Sequence, residues 1–153
     1  MNDIERALKR PFKRNELRSR TQGGKKLVYI TARSAMDRLD EVFGPEGWKQ
    51  EYFRLGDAVM CTVSCFIKGQ WVSKTDGVGE TNIEAEKGGI SDAFKRACVG
   101  WGIGRYLYNP AAFPDGLDGP PAHWATQKGY DEIWAERDAQ GIEQFREDLG
   151  KAA

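Results

Sequence analysis

A chain of 153 residues has room for one domain with a sizeable core, and 40% hydrophobic with 30% charged residues describe an ordinary soluble globular protein, not a disordered or membrane one. Lys and Arg number 23 against 23 Asp and Glu, so the formal net charge is zero, which at face value argues against a polyanionic partner. One histidine, His123, and three cysteines with no C-x-x-C pair, Cys61, Cys65 and Cys98, leave almost no material for a disulfide framework, a zinc site or Ser-His or Cys-His catalysis.

In chain order, Ile4, Ala7 and Leu8 followed by Pro11-Phe12 predict a short helix stopped by proline. Polar and basic residues dominate 15–26 and end in Gly23-Gly24-Lys25-Lys26, which reads as a flexible basic loop. Leu27-Val28-Tyr29-Ile30 predicts a short strand. Thr31 then caps a helix with apolar positions Ala35, Met36, Leu39, Val42 and Phe43, and Gly44-Pro45 stops it. A meander of three strands follows: 48–54, a central strand alternating Val59, Cys61, Val63, Cys65 and Ile67 against Met60, Thr62, Ser64, Phe66 and Lys68, and 71–75 after a Lys68-Gly69 turn.

A long helix is expected from near Asn82 to about Tyr108, with Ile90, Phe94, Ala97 and Trp101 on one stripe and Ala93, Ala97, Gly100 and Gly104 as a ridge of very small side chains. Each helical glycine costs about 1 kcal/mol relative to alanine, so Gly88, Gly89, Gly100, Gly102 and Gly104 call for a close approach to the sheet or to another subunit. After a Pro/Gly-rich connection over 109–121, Tyr130, Ile133, Trp134, Ile142, Phe145 and Leu149 mark acidic amphipathic helices interrupted near Gly141. The fold class is α+β. No apolar run approaches the roughly 18 residues of a membrane span, and the charged N-terminus lacks the apolar core of a secretory signal, so a cytoplasmic protein with no membrane partner is expected.

The zero net charge hides segregation. Residues 1–26 carry nine bases against three acids, +6, and residues 111–153 carry four bases against nine acids, −5. A basic head and an acidic tail suggest a polyanion on the head, head-to-tail attraction between subunits, or a solvated basic face. On the long helix Lys95 and Arg96 lie at about 140° and about 240° from Ile90, flanking the face opposite the apolar stripe. Two cations so placed either hold successive phosphates of one extended anion or form a solvated face with an Asp92–Arg96 pair. Tyr29, just after the basic loop, either stacks on a base or packs on the core. Gly102-x-Gly104 and Gly77-Val78-Gly79-Glu80 do not match a phosphate-loop motif, and the carboxylates Asp40-Glu41 and Glu84 with Glu86 lack a His or metal-like companion. No catalytic residue, metal or cofactor is therefore expected.

Three elements, Tyr29-Ile-Thr-Ala-Arg-Ser-Ala-Met-Asp-Arg-Leu-Asp-Glu-Val-Phe-Gly-Pro-Glu-Gly-Trp48, the strands to Val78-Gly79, and Glu86-Lys-Gly-Gly-Ile-Ser-Asp-Ala-Phe-Lys-Arg-Ala97 with Gly100-Trp-Gly-Ile-Gly104, resemble the Rad-fifty-two (Rad-twenty-two) single-strand annealing family, in its short bacterial or phage branch. The likeness runs in unbroken order over roughly 15–110. It implies a β-β-β-α core, with the three-stranded meander packed on the long helix, and assembly into rings or open rings, to which the residue pattern adds the N-terminal helix and the acidic C-terminal helix. Residues 1–110 would be the annealing core, and 111–153 the connection and tail of the same domain.

The function implied is ATP-independent annealing of single-stranded DNA in recombination and double-strand-break repair, at the nucleoid of a bacterial or phage-infected cell. Double-stranded DNA at a second site is a further partner the likeness allows. Arg20 and Tyr29 fall where the family has an arginine and a tyrosine at its inner DNA groove, and Lys95 and Arg96 match its Lys-Arg pair. A further basic position of the eukaryotic relatives is Val99 here; Lys25, Lys26, Arg33 and Arg105 are candidates to compensate by charge and position. The eukaryotic extension that recruits the recombinase has no counterpart, which points to annealing without mediator activity. The alternative is a purely structural assembly module whose basic head docks on a neighbour's acidic tail.

Overall fold

The computed structural model describes residues 2–79, 88–139, 141 and 150. Helix α1 (Asn2–Lys9) ends just before Arg10-Pro11, as a proline requires. A two-stranded antiparallel hairpin follows, β1 (Arg18–Gln22) and β2 (Lys25–Tyr29). This corrects the expected flexible loop over 15–26. Gly23 and Gly24 have φ of 59° and 76°, the left-handed pair that a two-residue hairpin turn needs and that only glycine adopts without strain.

The Thr31 hydroxyl accepts from the Ser34 amide at 3.3 Å and starts helix α2 (Ala32–Phe43), and Gly44, with φ 75°, ends it. Strands β3 (Trp48–Leu55), β4 (Ala58–Ile67) and β5 (Gln70–Val78) form an antiparallel sheet in the order β3-β4-β5. The expected alternation on β4 holds over Val59, Cys61, Val63 and Cys65, which are buried, and Phe66 on the other face is exposed, but Ser64 on that face is buried as well and Ile67 is only partly so.

Helix α3 (Gly89–Gly100) lies on that buried face. Its Ala93, Phe94, Ala97 and Cys98 are 0–1% exposed and join the β4 side chains in one core. Alanines opposite cysteines and valines let helix and sheet approach closely, and Phe94 fills the space they leave.

The helix differs from the expected one in three ways. It ends at Gly100, not near Tyr108, because Gly102 (φ 95°) and Gly104 (φ 71°) turn the chain into the left-handed region. A Cβ on Gly104 would also come within 3.2 Å of the Ile30 side chain. Gly88, Gly102 and Gly104 thus lie outside the helix, and the expected cost of a glycine-rich helix largely disappears. Finally, Ile90 is 55% exposed and does not belong to the buried stripe. The expected start near Asn82, with Glu84 and Glu86, lies outside the described residues.

Beyond α3, short turns carry the connection to α4 (Gln127–Ala139). The α4 segment folds back on the N-terminus of the same chain. Asp131 pairs with Arg6 at 3.6 Å and Arg10 at 3.1 Å, the Tyr130 hydroxyl donates to the Arg6 carbonyl at 2.8 Å, and Gln127 donates to the Pro11 carbonyl at 3.2 Å. From α2 the buried Arg38 donates to the carbonyls of Ala7, Leu8 and Arg10 at 3.1, 3.1 and 2.7 Å and lies 4.1 Å from the Phe12 ring centroid. One guanidinium therefore satisfies the open end of α1 and fixes it to α2. Ile142, Phe145 and Leu149 of the expected C-terminal helix lie outside the described residues. Among the described residues no helix is long and apolar enough to cross a membrane.

Candidate nucleic-acid interface

The hairpin register decides which cations can act together. Arg18 opposes Tyr29, Arg20 opposes Leu27 and Gln22 opposes Lys25, so these six side chains share one face. Thr21 opposes Lys26 and Ser19 opposes Val28 on the reverse. Arg20, Lys25 and Tyr29 thus lie on one face, with Lys25 at the turn end, and Lys26 points to the other.

Helix α3 brings Lys95 to the same place. Its ammonium lies 5.3 Å from the Tyr29 ring centroid, and the Arg20 guanidinium carbon lies 5.5 Å from it. Cation–π contacts of this kind are worth about 0.5–1 kcal/mol at exposed positions. Lys95 is oriented by the Ile30 carbonyl at 3.4 Å and by Asp92 at 3.8 Å. The expected Asp92–Arg96 pair is therefore replaced by Asp92–Lys95. Arg96, the next residue, is exposed, and among the described residues its side chain makes no ion pair or hydrogen bond. Two cations drawn to one aromatic ring repel each other, and a bridging anion relieves that repulsion while gaining charge-assisted hydrogen bonds from both.

The remaining candidates are placed differently. Lys25 and Arg33 are exposed, on the hairpin and on the first turn of α2. Arg105 donates from Nε to the Val99 carbonyl at 3.0 Å and from Nη2 to the Gly100 carbonyl at 2.9 Å, capping the negative end of α3. Its positive charge thereby stands beside the Val99 carbonyl. Lys26 is held by Asp118 at 2.5 Å; that hydrogen bond, with the opposite charge, raises the lysine pKa above its ordinary 10.5 and lowers the carboxyl below its ordinary 3.8.

Asp118 and Asp131 are not legible as site neighbours in the sequence, because nothing local ties a tail acid to a head cation some hundred residues away. The nearest signal is the compensation of +6 by −5. Asp131 and Asp118 engage Arg6, Arg10 and Lys26 within one chain, and they leave the Arg20, Lys25, Lys95 and Arg96 side without a tail carboxylate among the described residues.

The cysteines sit in the core instead. Burial pushes the Cys61 thiol up to about 11 and Cys65 to about 12, and raises Cys98 as well. At neutral pH all three are protonated and poor nucleophiles. Among the described residues no three His, Cys, Asp or Glu side chains gather as metal ligands would, and His123 faces Glu132 at 2.6 Å.

Known proteins resemble the chain over a large part of its length. Over 86 residues the chain is 38% identical to the single-stranded DNA-binding protein DdrA of Deinococcus radiodurans, covering 54% of this chain and 40% of the relative. Over 122 residues it is 33% identical to the single-stranded DNA-binding protein DdrA of Deinococcus deserti, covering 71% of this chain and 58% of the relative. The matched stretches thus span about half the length of these curated relatives. The model of the Rad52/22 family, described as double-strand break repair proteins, matches residues 1–115, which contain the hairpin, the three-stranded sheet and α3, and the chain belongs to that family.

Proposed function

We propose that this chain binds single-stranded DNA along the face shared by the β1–β2 hairpin and α3, and that it promotes annealing of complementary strands without ATP during recombination and double-strand-break repair. The observation that carries the reading is the meeting of Arg20 and Tyr29 of the hairpin with Lys95 of α3, with Lys25 exposed on the same hairpin face and Arg96 exposed next to Lys95 in sequence. Lys95, Arg96, Arg20 and Lys25 hold phosphates, and Tyr29 stacks on a base or braces the strand between the two cations. Arg105 contributes charge at the end of α3, and Arg33 lies within reach of a strand leaving the hairpin along α2. Annealing of this kind needs gathering and orientation of strands but no covalent step, so neither a nucleophile nor a cofactor is required. The two DdrA relatives carry single-stranded DNA binding in their names.

Residues 1–110 form the binding core and 111–153 the acidic tail of one domain, and copies assemble into a ring or open ring that lengthens the groove. The protein works in the cytoplasm, at the nucleoid. A purely structural module built by head-to-tail docking of charges is the weaker reading, because Arg6, Arg10 and Lys26 meet tail acids within their own chain.

The test is annealing of labelled complementary oligonucleotides with no nucleotide and with chelator present. The pure protein is expected to raise the annealing rate. A rate equal to that of the strands alone would contradict the proposal.

A further inference from the structure

The reverse of the hairpin carries a second arrangement of charge. The turn at 116–118 packs against β1 and β2, and Leu117 is anchored against the core. The Lys26 stem lies across this turn so closely that a Cβ on Gly116, whose φ is 61°, would come 3.0 Å from two of its carbons. At its end the ammonium meets the Asp118 carboxylate at 2.5 Å. Arg14 reaches the same turn, donating to the Leu117 carbonyl at 3.2 Å, and its charge acts on Asp118. Lys26 thus pairs directly with Asp118, Arg14 adds its charge from the same turn, and Asp115 acts on Lys26 more weakly, at side chains that stay 53% (Lys26) and 77% (Asp118) exposed.

An exposed pair of this kind is weak and open to exchange with another anion. A carboxylate and a backbone phosphodiester both offer a single negative charge on paired oxygens to lysine and arginine donors. Lys26 follows Lys25 in β2 but points to the other side, so a strand rounding the hairpin edge passes from the interface to this pair.

We infer that Asp118 is an internal stand-in for a DNA phosphate: it occupies a two-cation subsite formed by Lys26 and Arg14, and its removal admits one more backbone phosphate. The inference rests on the proposed single-strand binding and deepens it. Asp118 then limits affinity, keeping the hairpin from gripping DNA on both faces and leaving a bound strand free to exchange partners.

The experiment compares full-length wild type with Asp118→Asn, Asp118→Glu, Asp118→Asn/Lys26→Ala and Glu51→Gln by fluorescence anisotropy with a labelled oligothymidylate over a series of salt concentrations. Thermal melting checks that each variant is folded. Asp118→Asn is expected to bind at least about threefold more tightly near 0.1 M salt and to steepen the slope of log K against log salt by about 0.7, the value for one added single-strand phosphate. Asp118→Glu is expected to match wild type, because it restores the charge. Glu51→Gln, which removes an exposed acid from β3, is expected to match it too. Adding Lys26→Ala is expected to abolish the gain.

Wild-type binding with no gain in Asp118→Asn would overturn the inference and leave the interface standing. A gain that survives Lys26→Ala, or that appears equally in Glu51→Gln or Asp118→Glu, would also overturn it. If neither wild type nor Asp118→Asn binds, both the interface and this inference fail.

Discussion

Tyr29 sits half-buried with Arg20 and Lys95 each within 5.5 Å of its ring centroid, and its replacement separates stacking from charge. Tyr29→Ala is expected to weaken single-strand binding by about 1–3 kcal/mol, the usual worth of one stacked base, with little change in salt dependence, whereas Tyr29→Phe stays near wild type. Equal affinity in Tyr29→Ala, measured by anisotropy, would assign the ring to packing alone. The directions of the two shifts set the pH window of the Lys26–Asp118 pair. The lowered carboxyl contributes above its ordinary 3.8 and loses this as pH falls through its lower folded value; the raised lysine contributes below its ordinary 10.5 and loses this as pH rises through its folded value. The pair is therefore intact across neutrality, and any effect of Asp118→Asn on affinity is expected to stay constant between about pH 5 and about pH 9. An effect that disappears within that range would show another group in control. The core thiols give a simpler check: burial keeps Cys61, Cys65 and Cys98 protonated, so alkylation near pH 8 is expected to be slow in folded protein and complete in denaturant.

At the scale of elements, α3 serves two purposes through its opposite sides. Ala93, Phe94, Ala97 and Cys98 seal the sheet while Lys95 and Arg96 face outward, so the core sets where the cations stand. Phe94→Ala is expected to cost about 3–5 kcal/mol in a denaturant titration, and Ala97→Leu about 1–3 kcal/mol through overpacking against β4. A near-neutral Phe94→Ala would mean that helix and sheet are not tightly packed.

The meander, the Thr31 cap and the Gly44 stop are legible in the sequence because period-two alternation and capping are local signals. The hairpin is not, although Gly23-Gly24 is a hairpin turn dipeptide. Its first strand, Arg18–Gln22, is polar and exposed throughout, so burial alternation offers nothing to read there, whereas the second is legible from Leu27-Val28-Tyr29, with Val28 packed against the core. The end of α3 is obscured because Trp101, Ile103 and Leu107 continue an apolar pattern past the glycines. Trp101 and Ile103 are buried, but on a chain already turned away, with the Trp101 indole donating to the Val63 carbonyl at 3.0 Å. Lys95 and Arg96 are visible on the helix face and Tyr29 on its strand. Their meeting depends on the hairpin folding back beside α3, which no spacing along the chain records.

For the whole molecule, zero net charge is a balance between a basic head and an acidic tail that touch each other. Asp131 binds Arg6 and Arg10 at the N-terminal helix, and Asp118 binds Lys26 behind the hairpin. The charge left over on the front of the hairpin and on α3 gives a nearly neutral protein a basic face, so binding should be strongly sensitive to ionic strength. The most direct test is the affinity of the full chain for a labelled single strand, measured from low to moderate salt, in wild type and in Lys95→Ala/Arg96→Ala. Log K is expected to fall linearly with log salt in wild type, and the variant to bind far more weakly, with a slope shallower by about 0.7 for each phosphate it no longer neutralises. Wild-type affinity indifferent to salt, or a folded variant that binds as wild type does, would contradict the proposed interface.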